Sequence, residues 1–182
     1  MPARQPDRIV RWESWEGDSR EHLLLWQDRD GATAESTIIG SDYAARYRVS
    51  CDSRWHVRRL DVEVLGQVPF ALHADGEGGW KDGGGQPLTS LNGAIDIDLP
   101  ATPFTNTLPV RRLKMQPGQS IDIVTAYVIF PDLTIQADPQ RYTWIDQSRY
   151  RYDSRDDDFT AEITVDADGL VIDYPGLFRR IP

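Results

Sequence analysis

Apolar and polar residues alternate with a period of two through most of this chain, and that period commits a chain to strands. In Tyr43–Cys51, Tyr47, Val49 and Cys51 take one side while Arg46, Arg48 and Ser50 take the other. In Trp55–Leu65, Leu60, Val62 and Val64 oppose Asp61 and Glu63. The same pattern marks Ile9–Trp15, residues 34–39, Phe70-Leu72-Ala74, a short strand at Leu133-Ile135-Ala137, the tyrosine-bearing stretches around Tyr142, Trp144, Tyr150 and Tyr152, then Phe159–Val165 and Leu170–Tyr174. His22–Gln27 holds the unbroken run Leu23-Leu24-Leu25-Trp26, expected to be buried on both faces. Residues 119–130, QSIDIVTAYVIF, are the most apolar stretch and read as a strand at the centre of a packed sheet. Asp30-Gly31, Pro117-Gly118 and Asp168-Gly169 supply turns, and no segment keeps a helical period.

About a dozen strands with turn signals every eight to twelve residues predict an all-β, mainly antiparallel fold: a sandwich, β-roll or open barrel. At 182 residues the chain fits a single β domain, residues 1–182, large enough to fold on its own core. Arg46-Tyr47-Arg48 recurs as Arg149-Tyr150-Arg151, which leaves a pseudo-duplication open beside chance recurrence.

Residues 96–113, DIDLPATPFTNTLPVRRL, start by alternating, with Ile95, Ile97 and Leu99 opposite Asp96 and Asp98 as in a half-buried strand, and then break the pattern. Pro100, Pro103 and Pro109 lack an N–H and fix φ, so the stretch suits neither a helix interior nor a central strand. Thr102, Phe104, Thr105 and Asn106 lie between the prolines, and Arg111 and Arg112 follow. Hydroxyl, amide and guanidinium groups on a rigid, irregular segment make it the candidate binding loop. Asp96 and Asp98, two apart on a strand, project from one face with Cβ atoms about 6–7 Å apart. Such a pair can divide acid and base roles, as glycosidases require, or hydrogen-bond a ligand, or simply face solvent.

Other chemistries find little support. His22, His56 and His73 share no ligand spacing, and Asp156-Asp157-Asp158 lacks the spacing of a calcium loop, so no metal or other cofactor is expected. Cys51 stands alone, which rules out an intrachain disulfide and fits a reducing compartment. The glycine-dense residues 75–87 fit no phosphate-loop spacing and read as a hairpin connection pinned by Trp80. A net charge of −9 argues against nucleic acid as a partner. Neither a secretory leader in MPARQPDRIVRWESWEG nor a run of ~20 apolar residues is visible, so a cytoplasmic protein without a membrane span is expected. Six Trp, seven Tyr and five Phe, spread along the strands, could line a cavity for an amphipathic small molecule.

Three segments carry a family resemblance: AIDIDLPATPFTNTLPVRRL (residues 94–113), YRYDSRDDDFTAEITVDADGLVIDYPGLFRRI (residues 150–181) and YRVSCDSRWHVRRLDV (residues 47–62). Together they resemble a bacterial family labelled glycolipid-binding, formerly a domain of unknown function, whose label rests on the likeness of its fold to lipoprotein carriers. The resemblance implies an antiparallel β-roll or open barrel curved around an apolar cavity, and a glycolipid or other amphipathic ligand. No catalytic residues carry over with it. The expectation is therefore a non-enzymatic binding protein, monomeric or homodimeric. Its candidate ligand contacts are Asp96, Asp98, Thr102, Phe104, Thr105, Asn106, Arg111, Arg112 and, in the closing DYPGLFRR segment, Tyr174. Two alternatives stay open. One is a hydrolase acting on a glycosidic or ester bond through Asp96 and Asp98. The other is a structural module in which these aspartates bond loop N–H groups and Arg111 or Arg112 pairs with an internal carboxylate.

Overall fold

Fourteen strands join into one hydrogen-bonded sheet in the computed structural model, which describes residues 4–182; the first three residues of the stretch read for a leader lie outside them. The first run comprises β1 (Arg8–Ser14), β2 (Arg20–Asp28), β3 (Gly31–Ile39), β4 (Ala44–Asp52), β5 (Val57–Val64), β6 (Phe70–Ala74) and β7 (Trp80–Asp82). A crossover carries β8 (Asp96–Asp98), a 3₁₀ turn at Pro103–Asn106 and the short helix α1 (Thr107–Arg112). The second run is β9 (Ser120–Ile129), β10 (Thr134–Asp146), β11 (Arg149–Ser154), β12 (Thr160–Val165), β13 (Val171–Tyr174) and β14 (Phe178–Ile181). In the sheet the order is β7-β6-β5-β4-β3-β2-β1-β14-β13-β12-β11-β10-β9-β8, and β7 and β8 do not pair with each other. The sheet is thus open rather than a closed barrel. Every pairing is antiparallel except β8 with β9.

Alternation decides which residues enter the core. Tyr47, Val49 and Cys51 of β4 are buried, as are Leu60, Val62 and Val64 of β5. They join Trp12, Leu23, Leu25 and Ile38 in a first apolar cluster that also takes Ile97, Leu99, Phe104 and Leu108 from the crossover. A second cluster, under the later strands, is built on Tyr142, Tyr150, Tyr152, Ile163, Val171 and Tyr174. Gly31 opens β3 where a Cβ would run into the Cys51 carbonyl oxygen of β4. Gly169, at φ +76°, holds the turn on which Val110 and Arg111 of α1 lie.

Four expectations change in detail. Only one face of β2 is fully buried; Leu24 and Trp26 are half-exposed on the other, where the Trp26 indole N–H donates to the Arg4 carbonyl at 3.0 Å. Residues 119–130 form β9, next to the sheet edge rather than central. Its apolar residues face both ways because Ala126 and Val128 join the first cluster while Ile121 and Ile123 pack on the second. The short strand read at Leu133–Ala137 is the start of β10, which continues through thirteen residues to Asp146. Pro109 does sit in a helix, but in the first turn of α1, where its missing N–H has no partner to lose. Two strands escaped notice. β7 lies inside the glycine-dense stretch, held by the buried Trp80, whose indole N–H donates to the Ala94 carbonyl at 2.7 Å. β14 forms the seam that joins the two runs through β1 and β13. Arg46-Tyr47-Arg48 and Arg149-Tyr150-Arg151 fall in β4 and β11, each the fourth strand from one end of the sheet, with both tyrosines buried.

Candidate functional site

The proline-framed stretch runs through the interior, and most of its polar groups are spent in pairs, although the buried Thr107 hydroxyl has no partner among the described residues. Parallel pairing of β8 on β9 sets Asp96 opposite Thr125 and Asp98 opposite Tyr127, so both aspartates face the same side. Asp96 is fully buried, and Arg112 clamps it: Nε donates to Oδ1 and Oδ2 at 3.0 and 3.1 Å and Nη2 to Oδ2 at 2.6 Å. Burial holds this carboxyl above its usual range, with the guanidinium pulling against that rise. Asp98 accepts from the Thr105 hydroxyl at 2.9 Å and from Gln140 Nε2 at 2.7 Å. Gln140 uses the same amide to reach Asp138 at 2.6 Å.

Beyond Asp98 the chain turns inward. Thr102 caps the 3₁₀ turn by accepting the Phe104 N–H at 3.0 Å, and its hydroxyl lies 3.2 Å from that of Tyr47. Phe104 is buried, its ring stacked on Tyr47 at 6.5 Å between centroids. Tyr47 in turn donates to Glu21 at 2.7 Å, and Ser36 donates to the same carboxylate oxygen at 2.6 Å. Glu21 is buried, and loss of water raises its pKa to about 7. Asn106 accepts the Tyr142 hydroxyl at 2.8 Å.

Where the crossover meets the second run, a half-open cleft of about 470 Å³ remains, within the range of small-molecule sites. Asp98, Thr102 and Asn106 form one wall, and Tyr127, Asp138, Tyr152, Phe159 and Tyr174 the other. Tyr152 touches Phe159 and Tyr174 with centroids 5.9 and 6.5 Å apart. Tyr152 and Tyr174 are only 8% and 5% exposed, yet neither hydroxyl has a hydrogen-bond partner among the described residues. Neither hydroxyl is sealed from solvent, so each opens on the cleft. Burial, followed by the charge of Asp98, pushes both phenols well above their ordinary range. Asp98 and Asp138 are also raised, chiefly by burial.

Of the nine residues singled out from sequence, Asp98, Thr102, Asn106 and Tyr174 meet in this cleft. Asp96 lies behind it, paired with Arg112, which borders a second cleft of about 440 Å³ together with Asp122 and Arg155. Phe104 and Thr105 are enclosed, and Arg111 stacks over Trp55 at 4.9 Å. The internal Arg–carboxylate pair of the structural alternative is present as Arg112–Asp96, and the two aspartates are held chiefly by side chains, with the Leu99 backbone N–H also acting on Asp98. Sequence reasoning missed Tyr127, Asp138, Tyr152 and Phe159. The clustering of Tyr127, Asp138 and Tyr152 depends on the register across β9, β10 and β11, and Phe159 arrives from the connection before β12, whereas alternation marks only a face. Among the described residues no group of three or more His, Cys, Asp or Glu could hold a metal ion.

A family model described as "Putative glycolipid-binding" matches residues 9–180. The chain belongs to that family. A crystal structure of a DUF1089 family protein from Pseudomonas aeruginosa is similar at a TM-score of 0.78 and 35% sequence identity, covering 100% of this chain and 96% of that one. No curated protein matches. The two chains therefore share a fold along nearly their whole lengths.

Proposed function

We propose that this protein binds an amphipathic small molecule of the glycolipid class in the Asp98–Tyr174 cleft and does not transform it. The observation that carries the proposal is the pair of nearly buried tyrosines, Tyr152 and Tyr174, whose hydroxyls open on the cleft without partners among the described residues. These hydroxyls are open to solvent and unspent among the described residues, so a ligand's hydroxyl or amine can pair with them. Aromatic faces suit the apolar side of a sugar or the start of a tail, and the carboxylates of Asp98 and Asp138 accept hydrogen bonds from a head group. The family label points the same way.

Delipidated protein, titrated with alkyl glycosides and followed by native mass spectrometry, should form a one-to-one adduct that Tyr174→Phe weakens. Absence of any adduct across a panel of head groups and tail lengths sinks the proposal. The hydrolase alternative fares worse on geometry. An acid–base pair must reach the reacting bond, and Asp96 is fully enclosed and held by three hydrogen bonds from Arg112.

A further inference from the structure

We infer that the head group selected by the Asp98–Tyr174 cleft carries a positive charge: an amine-bearing head in preference to a neutral or an anionic one. The inference rests on the binding role proposed above and specifies the ligand's chemistry. Four carboxylates line the cleft, those of Asp98, Asp138, Asp156 and Asp157, and no lysine or arginine does. Neighbouring arginines are engaged elsewhere: Arg112 with Asp96 at 2.6 Å, Arg151 with Asp153 at 2.8 Å, Arg179 with Glu13 at 2.7 Å. Arg155 lies between Ser154 and Asp156 in the chain, yet it turns to Asp122 and the second cleft. The negative charge of the cleft is therefore uncompensated from within.

The carboxylates also keep acceptor capacity in hand. Asp138 receives only Gln140, on Oδ2, so Oδ1 has no hydrogen-bond partner among the described residues. Asp157 receives the Phe159 N–H, and Asp156 the Ser154 hydroxyl, each on a single oxygen. An ammonium group offers three donors and no acceptor, which complements such oxygens. The second observation is aromatic and independent of the acids. Tyr152, Phe159 and Tyr174 present rings 5.9–6.5 Å apart at the same cleft, and the negative faces of such rings attract a cation. The partnerless hydroxyls of Tyr152 and Tyr174, on side chains more than nine-tenths buried, mark the place as built to meet a polar group. A neutral sugar would leave the mutual repulsion of the carboxylates unrelieved, and a phosphate, sulfate or uronate would add to it.

Three alkyl glycosides with one tail and one ring separate these cases: the glucoside, the 2-amino-2-deoxyglucoside and the glucuronide. Each is titrated calorimetrically below its micelle concentration, at slightly acidic pH where the amine is protonated. The amino glycoside should bind about tenfold tighter than the glucoside, and the glucuronide weaker than both. Asp138→Asn keeps the shape and the acceptor for Gln140, and should shrink the amino-to-neutral ratio to roughly threefold or less. Asp157→Asn, on an exposed turn, should shrink it in the same direction without burdening the fold. Glu63→Gln, exposed on β5, makes the same change in net charge and should leave the ratio alone. Equal affinities, or a tighter glucoside or glucuronide, overturn the inference while the binding role stands. An equal loss in Glu63→Gln overturns it as well, since the preference would then belong to the whole acidic surface. Binding of none of the three removes the binding role and the inference together.

Discussion

The two runs of strands on either side of the β1–β14 seam use the same alternation to opposite ends. Inward positions of β1–β6 carry Trp12, Leu23, Leu25, Val49, Leu60 and Leu72, and the crossover's Phe104 and Leu108 close them off. Inward positions of β9–β13 carry Asp138, Gln140, Tyr142, Tyr152 and Tyr174, and there the crossover's edge leaves a cleft. A period of two says which face is turned in; the tips of the side chains say whether that face is dry. Tyrosine buries nearly as much carbon as phenylalanine but brings a hydroxyl that needs a partner. Tyr142 finds one in Asn106, whereas Tyr152 and Tyr174 find none among the described residues.

Mutations that attack the crossover should test the dry side hardest. Arg112→Ala leaves Asp96 as an unpaired, fully buried carboxylate, and urea unfolding should show a loss of about 3–5 kcal/mol. A loss below ~1 kcal/mol would mean that water reaches Asp96 and that the crossover is not sealed. Phe104→Ala removes the ring stacked on Tyr47 and should cost about 3 kcal/mol or more by the same measurement.

Glu21 adds a pH signature to that side. Its pKa is raised to about 7 from 4.5, so the folded state holds the proton more tightly than the unfolded chain. The stability linked to that proton is complete below pH 4.5 and is lost as pH rises through about 7. Relative to Glu21→Gln, the native protein should therefore weaken by up to about 3 kcal/mol between those limits, read from paired denaturation curves. A difference that does not change with pH would show that Glu21 is not held protonated. The smallest effect should come from the open side. Tyr174→Phe removes a hydroxyl with no partner among the described residues and should shift stability by no more than ~0.5 kcal/mol while lowering affinity for an alkyl glycoside several-fold. A large loss of stability would instead place that hydroxyl in the scaffold.

Much of this architecture was legible in the sequence, because alternation is local. Val57–Val64 and Ala44–Asp52 could be read to within two residues at each end, and Asp30-Gly31 and Asp168-Gly169 lie at turns. What escaped is non-local or too short to show a period. β7 has three residues, and β14, Phe178-Arg179-Arg180-Ile181, sets two arginines between its apolar ends. Arg180 is held by the Leu170 and Val171 carbonyls, each at 2.7 Å, and by Asp166 at 2.8 Å, contacts made by the fold rather than the local pattern. The site was half legible for the same reason. Asp98, Thr102 and Asn106 lie within nine residues of one another in an unusual stretch, while Asp138 and Tyr152 join them only through strand register.

The β1–β14 seam also sets a clock. Glu13 and Arg179 are register partners 166 residues apart. A ribosome adding about 5–20 residues per second needs on the order of ten seconds or more to make the chain between them. Throughout that interval β1 has β2 on one side and a bare row of N–H and C=O groups on the other. An unpaired edge is a template for pairing with another chain. Until Phe178–Ile181 arrives, β1 can be covered along one margin only, and any chain that meets the other margin first competes with its native partner.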